Sequence, residues 1–382
     1  DLKSSSLTYS TSGVPASPEF SIDHGFFDAS FLLVISSPNA DVRIFYTSDG
    51  SNPSINNGIL YAGPFLVAKT SVIRAVCVAD DNSVSKTTTR TYLFPDDIVH
   101  QPNDPVGYPS EWAPFTSING VAPGDYEMDP EMMADKQFEI SVKEALEDLP
   151  VISLVTDRGY LFSKNVDQVS GGIYIYTGVS QGLGYGWERP VSFEYFSAND
   201  TGSFQVDCGI QIQGGEGRRP EKSPKHSFRL VFKSVYGPSK LRYPFFGDDA
   251  VSVINTIILR AGFGNTWIHW SHSERSMAQY LRDRWTKDTQ RAIGHYSSHG
   301  NYMHLFINGL YWGLYNPSER MDSDFAESYL FGDEKDFDVI KDYSEAIDGE
   351  ITAWNTMMSM ANTGLVQNDA YQLIQGNNPD GT

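Results

Sequence analysis

The sequence predicts an α+β protein, in which an all-β sandwich is followed by a domain that mixes strands with helices. Three observations carry that prediction. Aromatic residues make up 13% of the chain, and 33 Gly with 20 Pro supply many turns, a mix that favours β-rich architecture. Between Glu19 and Phe94, short β-branched or aromatic runs alternate with turn signals. From Leu149 onward, strand-like runs are mixed with at least two helical patterns, which fits an α+β domain.

The totals narrow the function classes. A chain of 382 residues can hold two or three domains, each with its own core. Hydrophobic residues at 40% and charged residues at 20% describe an ordinary globular protein. The formal charge of −20 argues against nucleic acid or an anionic membrane as partner, because both require a basic face. No apolar run approaches the roughly 18 residues of a membrane span. Cys77 and Cys208 fall in different predicted domains. Two buried thiols are the favoured reading and one cross-domain disulfide is the alternative. No signal peptide is visible, the first residue is Asp1, and the last residues, Asn377-Asn378-Pro379-Asp380-Gly381, read as a loop. Both ends look cut, so a signal peptide or further domains are expected outside this sequence.

Residues 1–18 are rich in Ser and Thr and read as a flexible tail. The sandwich is predicted over 19–95. Its strands include Phe31-Leu32-Leu33-Val34-Ile35, Val42-Arg43-Ile44-Phe45-Tyr46 and Val72-Ile73-Arg74-Ala75-Val76-Cys77-Val78, with turns at Asp49-Gly50-Ser51-Asn52-Pro53 and Ala62-Gly63-Pro64. Residues 96–148 form a Pro-, Asn- and Asp-rich linker with a helix-like segment from Val142 to Leu146, expected to wrap onto the domain at 149–382. In that domain, Pro150 to Val155, Gly172 to Tyr176, Val191 to Phe196, Ile210 to Ile212 and Ser227 to Phe232 read as strands. Ser273 to about Gln290 reads as a helix with Ser273 as N-cap, and Met277, Leu281 and Trp285 recur as a buried stripe.

Local charge is the most informative chemical feature. Arg218, Arg219, Lys222, Lys225, Arg229, Lys233, Lys240 and Arg242 lie beside Gly214-Gly215-Glu216-Gly217 in an otherwise acidic chain, opposed only by Glu216 and Glu221. Such an island suits phosphate binding. Strand alternation places Lys225, Ser227, Arg229 and Lys233 on one face and Phe228, Leu230 and Phe232 on the core side, so Lys225 and Arg229 would point into one cavity. The competing reading is a solvated strand face that neutralises nearby acid. Asn308-Gly309, between two apolar runs, predicts a type I′ hairpin turn. His269, His272, His295, His299 and His304 form no recognisable zinc pattern.

Two resemblances add to this reading. The string Ile44 to Pro53, with Tyr61, Gly63-Pro64 and Val72-Ile73-Arg74-Ala75, resembles the fibronectin-III-like domain at the C-terminus of chitobiases, which implies an accessory module and most often a spacer. Pro150-Val151-Ile152-Ser153-Leu154, Trp187-Glu188-Arg189-Pro190-Val191, Gly209 to Arg218, Lys225-His226-Ser227-Phe228-Arg229-Leu230 and Leu259-Arg260-Ala261-Gly262 resemble motifs of the CotH-like (spore-coat protein H-like) atypical kinase family. Leu281-Arg282-Asp283, Leu305 to Tyr315 and Glu319-Arg320 continue the series in family order. In many members of the family an acidic residue follows the Gly-Asn where this chain has Gly264-Asn265-Thr266.

The resemblance implies a kinase-like α+β domain with a mostly antiparallel sheet and Mg²⁺-assisted transfer of the ATP γ-phosphate to Ser/Thr hydroxyls of a secreted or surface protein, in a bacterial setting. Such chemistry needs a cation on the phosphates, a carboxylate for the hydroxyl and oxygen ligands for the metal. The matching candidates are Lys225 for the phosphates with Arg229 and Arg218 as helpers, Glu188 as the ion-pair partner of Lys225, and Asp283 as the catalytic carboxylate. The bland reading of Asp283 is an exposed pair with Lys287. Asn308, Glu319 and Asp322 are the metal candidates, with the turn role favoured for Asn308. The alternative function is a non-catalytic adhesion protein that binds carbohydrate or a partner protein through Trp187, Trp267, Trp270 and Trp312.

Overall fold

The computed structural model describes residues 13–114, 121–178, 182–197 and 200–378. Residues 1–12 of the expected tail and residues 379–382, which include the last three of the expected C-terminal loop, lie outside the described residues. The chain divides into two compact units. The first comprises residues up to Arg242 with Ile254–Arg284 and Gly300–Ser318; the second comprises Tyr243–Val253, Trp285–His299 and Glu319 onward.

Within the first unit, the predicted sandwich strands form a five-stranded sheet in the order Gly25–Phe26, Thr88–Leu93, Ser71–Ala79, Val42–Thr47 and Ile59–Leu60. Phe31–Leu33 with Phe65–Val67 and Glu19–Phe20 with Ile35–Ser36 make two smaller sheets. Leu33, Ile35, Val67, Ile73, Ala75, Tyr92 and Phe94 fill the core. Both cysteines are buried and free.

The larger sheet of the same unit is a closed barrel of seven strands. They are β1 (Val151–Val155), β2 (Arg189–Ser197), β3 (Asp200–Gln213), β4 (Ser227–Val231), β5 (Thr256–Arg260), β6 (Met303–Ile307) and β7 (Leu310–Glu319). The order is β1-β2-β3-β4-β5-β7-β6, closing on β1. β1 and β6 run parallel, whereas β1–β2, β2–β3, β3–β4, β4–β5 and β6–β7 are antiparallel. The alternation read from the sequence holds on β4 and just after it, where Phe228, Leu230 and Phe232 are buried. Asn308 and Gly309 have φ of 50° and 83°, the two left-handed residues a type I′ turn requires.

Strand alternation also explains how the sandwich meets the barrel. In Thr88–Leu93, Tyr92 faces the sandwich core, whereas Leu93 packs with Ile98, Leu146, Val151, Phe196 and Phe306. On the barrel side, Glu194 of β2 accepts hydrogen bonds from Thr91 N at 3.1 Å, Thr91 Oγ1 at 2.5 Å and His24 Nδ1 at 2.8 Å. Ser153 of β1 bonds Thr91 Oγ1 at 2.7 Å. Gly309 meets Thr70 and Val72 closely enough that a Cβ there would lie 3.2 Å from Val72. Glu194, Ser153 and Thr91 are fully buried. The sandwich therefore meets the barrel through a buried polar seam.

Three expected elements differ. Gly172 to Tyr176 is a buried turn, because Gly172 N, Ile173 N and Tyr174 N bond back to Ser163, Tyr160 and Leu161 carbonyls. The helix-like segment near Val142 is part of a longer helix, α1 (Lys136–Asp148), capped by Asp135. The expected 273–290 helix is broken into His272–Ser276, with Ser271 as its N-cap, and α2 (Arg282–Ala292). Met277, Leu281 and Trp285 are 58%, 65% and 69% exposed, so the stripe is not a core stripe; Arg284 is the buried residue of α2. A four-residue apolar spacing reads alike on a continuous helix and across a break.

Candidate active site

The island of basic residues resolves into cations with different partners. Arg218 is buried, and its Nε donates to the carbonyls of Thr177 at 2.6 Å and Gly178 at 2.7 Å; its guanidinium stacks over Tyr185. Burial pushes its pKa down to about 10. This is a loop-fastening role. Lys222 and Arg219 both pair with Glu216. Lys233 pairs with Glu188 at 2.7 Å, and Glu188 also accepts from Gln211 Nε2. Burial works to raise the Glu188 pKa, but the hydrogen bonds from Lys233, Gln211 and Tyr236 outweigh it and hold the carboxyl below its ordinary value. The expected Glu188–Lys225 ion pair is thus replaced by Glu188–Lys233, because Lys233 lies beyond the end of β4 on the Glu188 side.

Lys225 stands apart. Its Nζ donates to the Leu314 carbonyl of β7 at 3.0 Å and lies 4.5 Å from the centroid of the Tyr315 ring. No carboxylate pairs with it among the described residues, and burial alone pushes its pKa down to about 8. Gly313 makes this position possible: at φ 114° it lacks the Cβ that would stand 2.5 Å from the Lys225 ammonium. Arg229 reaches the other way across the sheet, its Nε donating to Gln213 of β3 at 2.9 Å. Strand alternation predicted that Lys225 and Arg229 point into one cavity; the hydrogen bonds named here run to β7 for Lys225 and to β3 for Arg229.

The Leu314 carbonyl also accepts from Tyr280 Oη, and Tyr302 Oη holds the Tyr280 carbonyl at 2.9 Å. Tyr280 sits in the break between the two helices, so the break lets its ring reach β7. Gly262, at φ 89°, clears the way, since a Cβ there would stand 2.7 Å from the Tyr280 ring. α2 begins two residues after Tyr280 and carries Asp283 in its first turn. Arg260, at the end of β5, holds Asp283 Oδ1 at 3.1 Å. One carbonyl thus ties the Lys225 amine to the segment that presents Asp283. Tyr280 was not singled out from the sequence, and Arg260, Gly313 and Leu314 entered only as parts of motifs without a role, although a glycine inside a strand signals close approach.

The expected metal ligands have other attachments. Asn308 Oδ1 accepts from Thr156 N at 2.9 Å, fixing the hairpin turn. In the second unit, Glu319 is buried, accepting from His299 N and His299 Nδ1, both at 2.8 Å, and from Tyr329 Oη. Asp322 caps α3 (Ser323–Tyr329), accepting from Phe325 N at 3.1 Å, and pairs with Arg320 at 3.4 Å. Burial holds its carboxyl above the ordinary range. The same helix presents a different set. Asp324, Glu327 and Glu334 place carboxylate oxygens within 4.8 Å of one another, the only such group among the described residues. Asp324 and Glu327 share a helix face through their three-residue spacing. Hard oxygen donors of this kind suit Mg²⁺ or Ca²⁺.

Of the four tryptophans singled out, Trp187 is buried, Trp312 is half-buried, and Trp267 and Trp270 are exposed. No described helix is long and apolar enough to cross a membrane.

Comparison with known proteins now bears on these features. A family model described as CotH kinase protein matches residues 210–379, and one described as Fn3 associated matches residues 33–92. β1, β2 and most of β3 precede the first of these segments, although they belong to the same barrel. No curated protein matches the chain. The chain carries a CotH kinase family domain, preceded by an Fn3-associated domain.

Proposed function

We propose that this protein is an atypical protein kinase that transfers the γ-phosphate of ATP to Ser/Thr hydroxyls of a secreted or surface protein with the help of Mg²⁺. The observation that carries the proposal is Lys225, a partly buried amine without a carboxylate partner, cradled by Gly313 within a CotH kinase family domain. A cation kept free of counter-charge is what a polyphosphate needs, because an existing ion pair would have to be broken first.

In this reading Lys225, just before β4, holds the nucleotide phosphates, and Arg229 on β4 adds positive charge nearby. Asp283 orients the acceptor hydroxyl and takes its proton, and Arg260 keeps that carboxylate aimed. The divalent cation supplies charge neutralisation on the phosphates. Within the second unit, Asp324, Glu327 and Glu334 are oxygen donors that could hold a divalent cation by themselves, whereas the oxygens of Asn308, Glu319 and Asp322 already serve the fold.

Calorimetric titration of Mg²⁺-ATP into the protein tests the assignment. Saturable, metal-dependent binding that Lys225→Ala abolishes and Asp283→Ala leaves in place is the expected result. Equal binding by the Lys225 variant would remove that residue from the site. A second reading, a non-catalytic adhesion protein, draws on the exposed Trp267 and Trp270. It predicts glycan or partner binding that is indifferent to nucleotide and lost on Trp267→Ala with Trp270→Ala.

A further inference from the structure

The seam between sandwich and barrel, within the first compact unit, opens into a cleft of about 320 Å³. Asn52, Arg74 and Thr87 line it from the sandwich, and Tyr160, Asp207 and Tyr236 from the barrel. The size is at the lower end for a small-molecule site, and domain seams are where such sites concentrate.

One charged group in this cleft is incompletely used, and a second of opposite sign faces it. Arg74 is only 6% exposed. Its Nη1 donates to the Gly50 carbonyl at 2.9 Å, but its buried Nε has no partner. A buried guanidinium N–H without an acceptor is costly, so an acceptor is expected there. Across the cleft, Asp207 accepts from Gln205 Nε2 at 3.2 Å and from the Ser192 side chain, and no cation pairs with it among the described residues. Arg74 and Asp207 attract each other electrostatically but make no ion pair. Burial holds the Asp207 carboxyl above its ordinary range, as an incompletely compensated group would be.

The charge around Arg74 selects the ligand class. Asp207, Glu194, Asp157 and Asp49 all act on the guanidinium. A phosphate or carboxylate entering the cleft would meet these four acids, with Arg74 as the cation on the lining and Lys86 and Arg158 already drawn to Asp207 and Asp49. A neutral hydroxyl can accept from Arg74 while it donates to Asp207, and a pair of adjacent hydroxyls can satisfy both without adding charge.

We propose that this cleft is a binding site for a neutral, polyhydroxylated ligand of about one sugar ring, bridged between Arg74 and Asp207. The site is separate from Lys225 and Asp283, and the proposal does not depend on kinase activity. The hydroxyls could belong to a free monosaccharide or to the end of a longer glycan, and the experiment separates the two.

Saturation-transfer NMR on the full chain, with methyl glycosides of glucose, galactose, mannose and N-acetylglucosamine and with the matching tetrasaccharides, supplies the test. At least one glycoside should bind, and Asp207→Asn and Arg74→Met should each weaken it about tenfold or more through loss of a charge-assisted hydrogen bond. Val235, also on the lining, is 76% exposed, so Val235→Trp can obstruct the cleft without touching a core. That variant should abolish binding while leaving the thermal midpoint unchanged, which separates occupancy from misfolding. A tetrasaccharide preference of tenfold or more assigns the site to a chain end, and equal affinity assigns it to a free sugar. Absence of binding by every glycoside at tens of millimolar overturns the proposal. So does undiminished binding in Val235→Trp, or competition by inorganic phosphate.

Discussion

Nucleotide binding at Lys225 should draw a proton from solution near pH 8–9. Burial holds the Lys225 pKa at about 8, against about 10.4 for a free lysine. About one-tenth of the unliganded molecules then carry a neutral amine at pH 7, about half at pH 8 and about nine-tenths at pH 9. A polyphosphate beside the amine favours its charged form, so binding replaces the missing proton. The expected uptake is about 0.1 proton per nucleotide at pH 7, about 0.5 at pH 8 and about 0.9 at pH 9. Titrations of Mg²⁺-ATP in buffers of different ionisation enthalpy read this number directly as a slope. A zero slope at pH 8 and 9 with binding intact would refute the phosphate role of Lys225, as would a slope that survives in Lys225→Met. The same amine contributes to stability with a defined sign. Its folded pKa lies below its unfolded value, so the unfolded chain binds more protons between about pH 8 and 10.4. Lys225 therefore makes the protein more stable as pH rises through that window, by about 3 kcal/mol at most, and Lys225→Met should lose that rise.

Three further outcomes follow from the geometry. Glu194→Ala leaves His24 Nδ1, Thr91 N and Thr91 Oγ1 without their acceptor in the seam and should cost about 3–5 kcal/mol in urea denaturation; a loss under about 1 kcal/mol would mean that the sandwich is dispensable to the barrel. Gly313→Ala places a methyl 2.5 Å from the Lys225 ammonium at a φ of 114°. It should destabilise the fold by about 1–3 kcal/mol and weaken nucleotide binding at least as much as Lys225→Met, and unchanged ATP affinity would contradict the cradle. Asp283→Asn should keep nucleotide affinity while lowering phosphoryl transfer about 10²–10⁴-fold, measured with saturating Mg²⁺-ATP; equal loss of both would make Asp283 a binding or folding residue.

What the sequence discloses and what it conceals divide along the range of the interactions. The sandwich strands and the Asn308-Gly309 turn are legible because alternation and left-handed turn residues are local. The burial of Thr91 is not legible. A threonine between Arg90 and Tyr92 reads as a solvent-facing position, and its acceptor Glu194 lies 103 residues away. The basic island was visible as composition, but which cations remain available depends on partners brought by the fold. Glu216 takes Lys222, Glu188 takes Lys233 and backbone carbonyls take Arg218. Lys225 is left with a carbonyl and an aromatic ring. The helix break at Met277 to Leu281 is concealed for a similar reason. It exists so that Tyr280 can reach Leu314, a contact across 34 residues that no helical period encodes. Asp324, Glu327 and Glu334 come together only because the chain turns back after α3.

The central claim is that this CotH kinase family domain transfers phosphate using Lys225 and Asp283. Following the γ-label of ATP, with Mg²⁺ present, into the protein itself and into a mixed Ser/Thr protein acceptor tests it most directly. The account predicts label recovered as phosphoserine or phosphothreonine from the wild type, none from Lys225→Met, and none from Asp283→Asn although that variant still binds nucleotide. Label incorporated equally by the wild type and both variants, or no label from a wild type that binds Mg²⁺-ATP, would contradict it.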